Sequence, residues 1–388
     1  MVKVLHVLTR LIRGGADEAV LHMVTGLNRQ QYEVTLLVGG DSDRAYVAEA
    51  SQEVKIVLEP SLRRDIHPLS DLRALYTLSH IMRQGRYALV HTHTAKAGFL
   101  GRLAAKLAGV PVIVHTLHGV TFHDFRPWLV RQCYILLEKV AARVTDRFIA
   151  VGVDLKQHYL QHGIGTAAQY TVIHTGMDLE RFLRAASLSD SDKQQKRQEL
   201  GVPPNTIIIG HVSRLDTGKG QQYLLQAAPN ILARFPQATF LFVGDGKHRG
   251  SFERIAQDLG VETHVVFAGF RHDIEAVMAI FDLAVFTSLW EGLPRVVVQY
   301  AALGKPIVAF DIKGVSELVH DGVNGFTIPI KDVDSLAQQI IYLLEHLDEA
   351  RQMGRRGQQL IDETWRIETM LGRIRQEYQT LLGTTNCE

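Results

Sequence analysis

Three charged side chains in the second half of the chain stand at positions where a polar ligand can be bound. Arg214 and Lys219 share a loop with Gly218 and Gly220, and Glu291 follows a short apolar run. Two cations beside glycine-exposed backbone N–H groups and a following helix N-terminus suit a pyrophosphate. A carboxylate can accept hydrogen bonds from two neighbouring hydroxyls. The simpler alternatives are a solvated basic turn and an acid that stabilises a helix N-terminus.

A helical pattern after Glu291 adds further polar groups. It opens at Pro294, ends near residue 304, and places Gln299 two turns along, on roughly the face of Glu291. Val296 offers a backbone N–H at the start of this helix, whereas Pro294 offers none. Gln299 is either a ligand contact or an ordinary surface residue.

The N-terminal half offers a glycine pair and several histidines. Gly15 lies between a predicted strand and a predicted helix, where glycine either admits a ligand to the backbone or forms a tight turn. His118 follows a predicted strand and could exchange a proton or hydrogen bond with a hydroxyl. The chain has 18 histidines, so residue type alone does not select one. We assign His91 to a packed core, and the rivals of His118 are His93, His115 and His123.

Apolar runs that alternate with helical patterns position these residues. Buried parallel strands are predicted at 2–8, 34–38, 54–58, 88–91, 110–115, 148–151, 170–174, 207–212, 239–243, 265–268, 283–286, 306–310 and 324–328. Alternation of strands and helices predicts two doubly wound α/β domains in tandem with a cleft between them. We divide the chain into an N-terminal domain 1–183, a polar linker 184–205, a C-terminal domain 206–363, and a helix 364–388 that packs back on the first domain.

Composition limits the class of protein. The 388 residues are 46% hydrophobic and 21% charged with a net charge of +1, which favours folded domains and no nucleic-acid partner. Cys133 and Cys387 are far apart, the polar N-terminus does not match a signal peptide, and no run of 18 apolar residues occurs. We expect a cytoplasmic protein.

A long helical pattern at 128–144 carries apolar residues at Leu129, Cys133, Leu136, Leu137 and Val140. The surrounding stretch 126–147 has five basic and two acidic residues. Two interpretations stand. The helix packs on its own sheet with a solvated basic edge, or it rests peripherally on an anionic inner membrane surface.

The sequence gives little support for a metal or a dinucleotide. The Asp-x-Asp pairs Asp41/Asp43 and Asp332/Asp334 have a spacing that can hold a divalent ion, but such pairs arise often by chance, and the second is typical of a helix cap. No Gly-x-Gly-x-x-Gly with a suitably spaced acidic residue follows the first strand. We expect no metal site and no dinucleotide cofactor.

The chain resembles the retaining glycosyltransferases of family 4, which have the GT-B fold. The resemblance covers nearly the whole chain. It rests on the Arg214/Lys219 loop, the Glu291–Gln299 spacing, the segment VIHTGMD at 172–178 with Phe182, and the segment ALGKPIV at 302–308. Segments 91–101 and 115–119 are similar to the bacterial cell-surface polysaccharide branch.

The resemblance implies a metal-independent enzyme that moves a sugar from a nucleotide diphosphate, with uracil as the base, to a hydroxyl acceptor that is lipid-linked in part of the family. Arg214 and Lys219 would hold the pyrophosphate, Glu291 the sugar, and His118 would lie near the transferred sugar. Donor-binding residues would further comprise Gly15, Gly244, Phe270, Gly292, Leu293, Val296 and Gln299. The acceptor side would include His93 and Lys96.

Gln299 departs from the family, which usually has glutamate there to hold the ribose. An amide keeps one acceptor but loses the charge, and hydrogen bonds to charged groups are worth ~1.5–3 kcal/mol against about 1 for neutral ones. The family's asparagine before Gly176 is replaced by Thr175. Two alternatives follow: an epimerase of UDP-sugars with the related fold, or a catalytically weakened relative that binds sugar nucleotides.

Overall fold

The computed structural model describes the backbone of residues 1–385, so Cys387 lies outside the described residues. The described chain forms two compact units, Met1–Met177 together with the segment from Thr364 onward, and Asp178–Glu363. Each unit contains one parallel sheet, of seven and of six strands. The α/β doubly wound architecture predicted from the alternating apolar runs is confirmed.

The first unit has the strand order β3-β2-β1-β4-β5-β6-β7. Its strands are β1 Val2–Leu8, β2 Tyr32–Gly39, β3 Lys55–Glu59, β4 Leu89–His93, β5 Val112–Leu117, β6 Arg147–Ala150 and β7 Tyr170–Val172. Its first helices are α1 Gly15–Gly26, α2 Arg44–Ala50, α3 Pro68–Gly85, α4 Ala95–Ala108, α5 Trp128–Ala142 and α6 Val153–Gln161.

The second unit begins with two helices, α7 Glu180–Ala186 and α8 Asp190–Glu199. Its sheet has the order β10-β9-β8-β11-β12-β13. The strands are β8 Ile207–Val212, β9 Ala238–Val243, β10 Val265–Phe267, β11 Leu283–Phe286, β12 Ile307–Phe310 and β13 Gly325–Ile328. The remaining helices are α9 Gln221–Arg234, α10 Arg249–Asp258, α11 Ile274–Ala279, α12 Arg295–Ala302, α13 Val333–Glu345 and α14 Leu347–Gln359.

The final helix, α15 Ile367–Thr385, belongs to the first unit. Both faces of the first sheet are covered, as continuous apolar strands require. Leu5 and Val7 of β1 face a cluster with α3 and α4, while Val4 faces a cluster that includes Ile374 and Tyr378 of α15. The last helix therefore completes the core of the N-terminal sheet.

The structure differs from the sequence prediction in several elements. Helices α2, α6, α7, α10 and α11 were not predicted. Within the polar segment 184–205, helix α8 starts three residues before the short helix expected at about 193–200. In α3, the apolar pattern predicted from the sequence is Leu69, Leu72, Leu75, Leu78 and Met82. Its Leu78 and Met82 are buried together with Ala74, whereas Leu69 and Leu72 are exposed. Among the described residues, no helix combines the length and hydropathy needed to cross a membrane.

In helix α5, much of the predicted apolar stripe is exposed and does not pack on the sheet. Leu129, Cys133 and Leu136 are exposed, and the buried residues are Ile135, Glu138, Ala141 and Ala142. The cause is an ion pair within the core: Arg102 of α4 donates to Glu138 at 2.7 Å, and both side chains are buried. Pairing a buried charge offsets its desolvation, which fixes the polar residue Glu138 inward.

Candidate active site

The loop after β8 carries Arg214 and Lys219 at the C-terminal edge of the second sheet. The Asp216 side chain accepts from the backbone N–H of Gly218 at 3.4 Å and caps a short 3-10 turn, Thr217–Lys219. The Arg214 side chain is half exposed, with its Nε 3.9 Å from Asp216 Oδ2. The loop thus presents a half-exposed arginine and a mostly buried lysine beside a turn of glycine-rich backbone.

Two glycines press this loop against the loop after β11. Gly220 has φ +72, and a Cβ there would lie 2.0 Å from the carbonyl oxygen of Thr287. A Cβ on Gly218 would lie 2.7 Å from the Trp290 ring. Only glycine permits both the left-handed backbone and this close approach. The pyrophosphate-type loop and the carboxylate loop are consequently held side by side.

Lys219 and Glu291 meet across these two loops. Lys219 Nζ donates to Glu291 Oε1, and both side chains are about three-quarters buried. The opposite charges that were predicted to bind different parts of a ligand therefore lie in direct contact. A ligand that carries an anionic group next to hydroxyls could accept from Lys219 and donate to Glu291, because the two side chains are adjacent.

Helix α12 starts at Arg295, and Pro294 is its N-cap instead of its first residue. Val296 lies in the first turn, where backbone N–H groups are free of intrahelical partners. Gln299 is partly buried one turn later, and Tyr300 beside it is fully buried and accepts from the backbone N–H of Val212 at 2.8 Å. Burial raises the pKa of the Tyr300 hydroxyl, which stays neutral and ties α12 to β8.

The turn that precedes α12 is also tightly packed. Gly292 and Leu293 are buried, and the carbonyl oxygen of Gly292 lies 2.4 Å from the position that a Cβ on Gly314 would occupy. Gly314 has φ +82, so the approach again depends on glycine. This packing fixes the backbone that leads from Glu291 into the helix.

Two further predicted donor residues follow β9 and β10. Gly244 has φ +125 and donates from its backbone N–H to the Gly269 carbonyl at 2.8 Å. Phe270 is 54% exposed, and its ring meets that of His272 edge to face at 5.0 Å. Both lie in the row of loops at the C-terminal edge of the sheet that also holds Arg214 and Glu291.

Sequence reasoning missed the residues that support the cation loop. Gln221, the first residue of α9, is buried and donates from Nε2 to Ser213 Oγ at 2.7 Å and to the Arg214 carbonyl at 2.8 Å. His211 Nε2 is 3.0 Å from Thr287 Oγ1, which donates to the Gly220 carbonyl. Burial, aided by the Lys219 charge, lowers the pKa of His211 to about 3, so its imidazole is neutral. A buried polar residue just after a glycine turn is the signal that could have indicated Gln221.

The predicted residues of the first unit separate into edge and core positions. Gly15 opens α1 at the C-terminal end of β1, and His118 directly follows β5 and is partly buried. Both therefore lie at the same edge of the first sheet. Lys96 is engaged by α3: it pairs with Asp71 at 2.5 Å and donates to the Asp65 carbonyl.

The assignment of His93 to the acceptor side stays a prediction. Its side chain is fully buried within β4 and offers no exposed surface to an acceptor. Its nitrogens instead contact His6 at 3.0 Å and His118 at 3.1 Å. The assignment of His91 to the core is confirmed by its complete burial.

The Asp-x-Asp pairs have local structural partners. Asp41 accepts from the backbone N–H of Arg64 at 2.7 Å, and Asp43 caps α2. Asp332 caps α13 by accepting from the Ser335 backbone at 3.0 Å, as predicted from its sequence context. Within the described residues, the set whose ligand atoms cluster is His6, His91 and His93.

Comparison with known proteins supports one family for both units. Residues 13–181 match the family "Glycosyltransferase Family 4", and residues 192–360 match "Glycosyl transferases group 1". A UDP-Gal:alpha-D-GlcNAc-diphosphoundecaprenol alpha-1,3-galactosyltransferase of Escherichia coli is 30% identical over 343 residues, 88% of this chain and 87% of the relative. The chain belongs to glycosyltransferase family 4. It is an enzyme of the glycosyltransferase class, as the resemblance implied.

Further relatives of this glycosyltransferase agree. The capsular polysaccharide biosynthesis glycosyltransferase CapM of Staphylococcus aureus is 22% identical over 379 residues, 94% of this chain and 98% of the relative. The crystal structure of Anabaena HepE in complex with UDP-glucose matches with a TM-score of 0.82 at 28% identity, over 98% of this chain and all of that one. The GT-B fold of the glycosyltransferase is thereby confirmed.

Proposed function

We propose that this glycosyltransferase moves a sugar, with retention of anomeric configuration, from a UDP-sugar to a hydroxyl of a lipid-linked acceptor in cell-surface polysaccharide or glycolipid synthesis. The observation that carries the proposal is the contact between Lys219 and Glu291 beside Arg214, at the edge of the second sheet. The names of the relatives support the donor and the acceptor, because one acts on a diphosphoundecaprenol compound with UDP-Gal and another binds UDP-glucose.

The proposed chemistry needs charge stabilisation on the leaving group. As the bond between the anomeric carbon and the diphosphate oxygen breaks, negative charge grows on the diphosphate, and Arg214, Lys219 and the N-terminus of α12 would stabilise it. The acceptor oxygen forms the new bond on the same face, and its proton passes to the released diphosphate. Glu291 would hold sugar hydroxyls in this arrangement.

No metal ion enters the proposal, because the residues present supply the charge that a metal would otherwise supply. Two cations and a helix N-terminus meet the diphosphate. In the Asp-x-Asp pairs, Asp41, Asp43 and Asp332 already accept from backbone N–H groups of Arg64, Ala45, Tyr46 and Ser335. Chelation of divalent ions should leave the transfer rate unchanged.

The test is transfer by purified enzyme with a set of UDP- and GDP-sugars and a polyprenyl-diphosphate sugar acceptor. The product's anomeric configuration is read by NMR coupling constants. Arg214→Ala and Lys219→Ala should each lower kcat by about 10²–10³, as for removal of one transition-state donor. Arg234→Ala, which removes an exposed arginine paired with Glu345, is the control. Normal turnover in both site variants, or conversion of the donor without acceptor, would reject the proposal; the latter result identifies an epimerase.

The proposal includes peripheral contact of the first unit with an anionic membrane. Helix α5 exposes Trp128 by 67%, and it exposes Leu129 by 72% and Leu136 by 61%, both from the apolar stripe that the sequence left open to either interpretation. Lys139 and Arg143 are exposed on the same helix. An apolar strip bordered by cations matches the surface of anionic lipids.

A second apolar strip supports the same contact. Helices α3, α4 and α5 lie side by side, and α3 exposes Leu69, Leu72 and Tyr76. Both strips begin at helix N-termini, which lie at the C-terminal edge of the parallel sheet, where His118 also lies. A lipid-linked acceptor would enter at this edge.

Flotation with liposomes tests the membrane contact. Vesicles with anionic phosphatidylglycerol should carry the enzyme upward more than neutral phosphatidylcholine vesicles do. Leu129→Ser with Leu136→Ser should abolish the difference, whereas Leu347→Ser, an exposed leucine of α14, should not. Equal flotation with both vesicle types would remove the membrane contact and leave the transfer activity in place.

A further inference from the structure

Six side chains of the first unit form one continuous hydrogen-bonded chain beneath the edge that carries His118. In order, its members are Thr116, His91, Tyr378, His6, His93 and His118. They come from three neighbouring strands, the residue after β5, and the last helix. The hydrogen-bonded chain therefore runs from the face of the sheet that α15 covers to His118, the position predicted to lie beside the transferred sugar.

The inner half of the chain centres on Tyr378. Thr116 Oγ1 lies 2.6 Å from His91 Nε2, and His91 Nδ1 lies 2.5 Å from the Tyr378 hydroxyl. The hydroxyl lies 3.3 Å from His6 Nε2. Among the described residues, the Tyr378 hydroxyl joins the His91 branch to the His6 branch.

The outer half transmits the contact to the edge. His6 Nδ1 lies 3.0 Å from His93 Nε2, and their rings are stacked at a centroid distance of 5.2 Å. His93 Nδ1 lies 3.1 Å from His118 Nε2. His6 and His93 are fully buried, and burial lowers the pKa of both imidazoles, His6 to about 3. Both rings are therefore neutral at physiological pH.

Neutral rings couple their tautomers along such a chain. A neutral imidazole has one N–H donor and one acceptor nitrogen, and a hydroxyl has one proton to give. When Tyr378 donates to His6, His6 must donate from Nδ1 to His93, and His93 must donate from Nδ1 to His118. When Tyr378 accepts from His6, every donor is reversed. The direction of the hydrogen bond between Tyr378 and His6 therefore determines whether His118 Nε2 accepts or donates, three hydrogen bonds away.

A metal site is the competing interpretation of the same histidines. Ligand atoms of His6, His91 and His93 lie within 4.8 Å of one another. However, both nitrogens of each of these three rings already have a hydrogen-bond partner among the described residues. A metal would require at least three lone pairs directed at one point, which would break the chain. The hydrogen-bonded arrangement uses every nitrogen, so the geometry favours it.

We propose that Tyr378, from the last helix, is a positioning residue for glycosyl transfer: through His6 and His93 it fixes the tautomer and ring orientation of His118. The inference rests on the proposed function, in which His118 lies near the transferred sugar. Tyr378 itself touches no substrate in this scheme. The last helix thereby acts on the reaction through the interior of the first unit.

The test combines ring ¹⁵N NMR with kinetics in Tyr378→Phe. In the wild type, His118 should show the ¹⁵N shifts of a single tautomer. In Tyr378→Phe the shifts should move toward a mixture, and kcat should fall about tenfold, the loss expected from one hydrogen bond to a reacting-site group, with the donor KM unchanged. Tyr32→Phe is the matched control, since Tyr32 is buried in the same cluster but is not a member of the chain.

A shape-preserving substitution covers the case in which Tyr378→Phe does not fold. Site-specific 3-fluorotyrosine at position 378 makes the hydroxyl a stronger donor and should shift the His118 ¹⁵N resonances, whereas the same residue at position 32 should not. Unchanged His118 shifts in either Tyr378 variant would overturn the coupling. Changed shifts with unchanged kcat would overturn the positioning role but not the proposed transferase function.

A separate experiment tests the alternative that His6, His91 and His93 bind a metal. Metal analysis of the purified enzyme and titration with Zn²⁺ should give no stoichiometric metal and no change in the ring ¹⁵N shifts of His6, His91 and His93. Bound zinc that moves those shifts would replace the hydrogen-bonded chain with a metal site. The NMR measurements need no substrate, so they remain decisive even if the donor or acceptor of the proposed function is wrong.

Discussion

Lys219 and Glu291 are bonded to each other although they lie in two loops, 72 residues apart in sequence. Partly exposed ion pairs contribute only about 0.2–1 kcal/mol to stability. A diphosphate could therefore draw Lys219 away from Glu291 at little cost, and sugar hydroxyls could replace the ammonium at the carboxylate. The pair is well suited to hold both side chains in place and to exchange its partners on binding.

Glu291→Gln should reduce kcat/KM about two- to thirtyfold, because hydrogen bonds to a charged acceptor are worth about 1.5–3 kcal/mol and those to a neutral one about 1. Thermal unfolding should change little, since the pair is partly exposed. Initial rates at varied donor concentration give the first quantity and calorimetry the second. Glu253→Gln, which breaks an exposed pair with Arg249, should leave both unchanged. Full activity in Glu291→Gln would exclude the carboxylate from sugar binding.

Gln299→Glu should lower the donor KM about fivefold with little change in kcat, the effect of about 1 kcal/mol more in one hydrogen bond. The added charge would strengthen a bond to a ribose hydroxyl. A donor that lacks that hydroxyl should show no gain, which separates ribose contact from a general effect. Equal KM values with the ordinary donor would mean that residue 299 does not bind the ribose.

Gly220→Ala should abolish turnover and destabilise the second unit, whereas Gly260→Ala should cost only about 1–2 kcal/mol, the penalty for an alanine in the left-handed region. Both glycines have positive φ, at +72 and +67. Only at Gly220 would the added Cβ meet backbone, 2.0 Å from the Thr287 oxygen; at Gly260 nothing lies within 4 Å. Urea unfolding and transfer assays compare the two variants. Similar losses in both would show that the contact between the loops tolerates a side chain.

Unfolding in urea should require less denaturant at pH 5.0 than at pH 7.5. The His6 pKa falls from its ordinary value of 6.5 to about 3 on burial. Between these two values the unfolded chain binds a proton that the folded chain does not, so stability is complete above pH 6.5 and is lost as pH falls. Each such histidine contributes about 1.4 kcal/mol per pH unit.

The lowered pKa predicts that replacing a buried histidine changes the pH dependence of stability, whereas replacing an exposed one does not. In His6→Gln, the difference in unfolding free energy between pH 7.5 and pH 5.0 should be smaller than in the wild type by about 2 kcal/mol. This figure is about 1.4 kcal/mol per pH unit over the roughly 1.5 units between pH 5.0 and the unfolded-state pKa of His6. His80, which is exposed on α3, should have no such effect when replaced by glutamine. An unfolding midpoint independent of pH in the wild type would contradict neutral burial of the histidines.

Strand positions could be predicted from sequence because parallel strands covered on both faces are continuous apolar runs, as in β1, β8 and β11. The buried face of α5 could not be predicted in this way. Periodicity shows that an apolar stripe exists, but it does not show which side is buried. The deciding contact joins Glu138 to Arg102, 36 residues earlier, and only the folded chain brings them together. The sequence therefore left open whether Leu129 and Leu136 pack on the sheet, and in the structure both are exposed.

The candidate site could also be predicted only in part from the sequence. Arg214, Lys219 and Glu291 could be predicted because each follows an apolar strand, and strand ends share one edge. The contacts of His93 could not be predicted, because its neighbours His6 and His118 come from β1 and from the residue after β5. Tyr378 lies 287 residues beyond His91 in the sequence. Short helices such as α7 and α11 were missed because six or seven residues contain too little periodicity.

Helix α15 also determines when the first sheet can be finished during protein synthesis. The surface formed by Val4, Leu89 and Val112 is closed by Met370, Ile374 and Tyr378. All of the second unit, Asp178–Glu363, must leave the ribosome before those residues appear. At ~5–20 residues per second, the nascent N-terminal sheet keeps an uncovered apolar face for about 10–40 s. This interval is when the growing chain would most need protection by a chaperone.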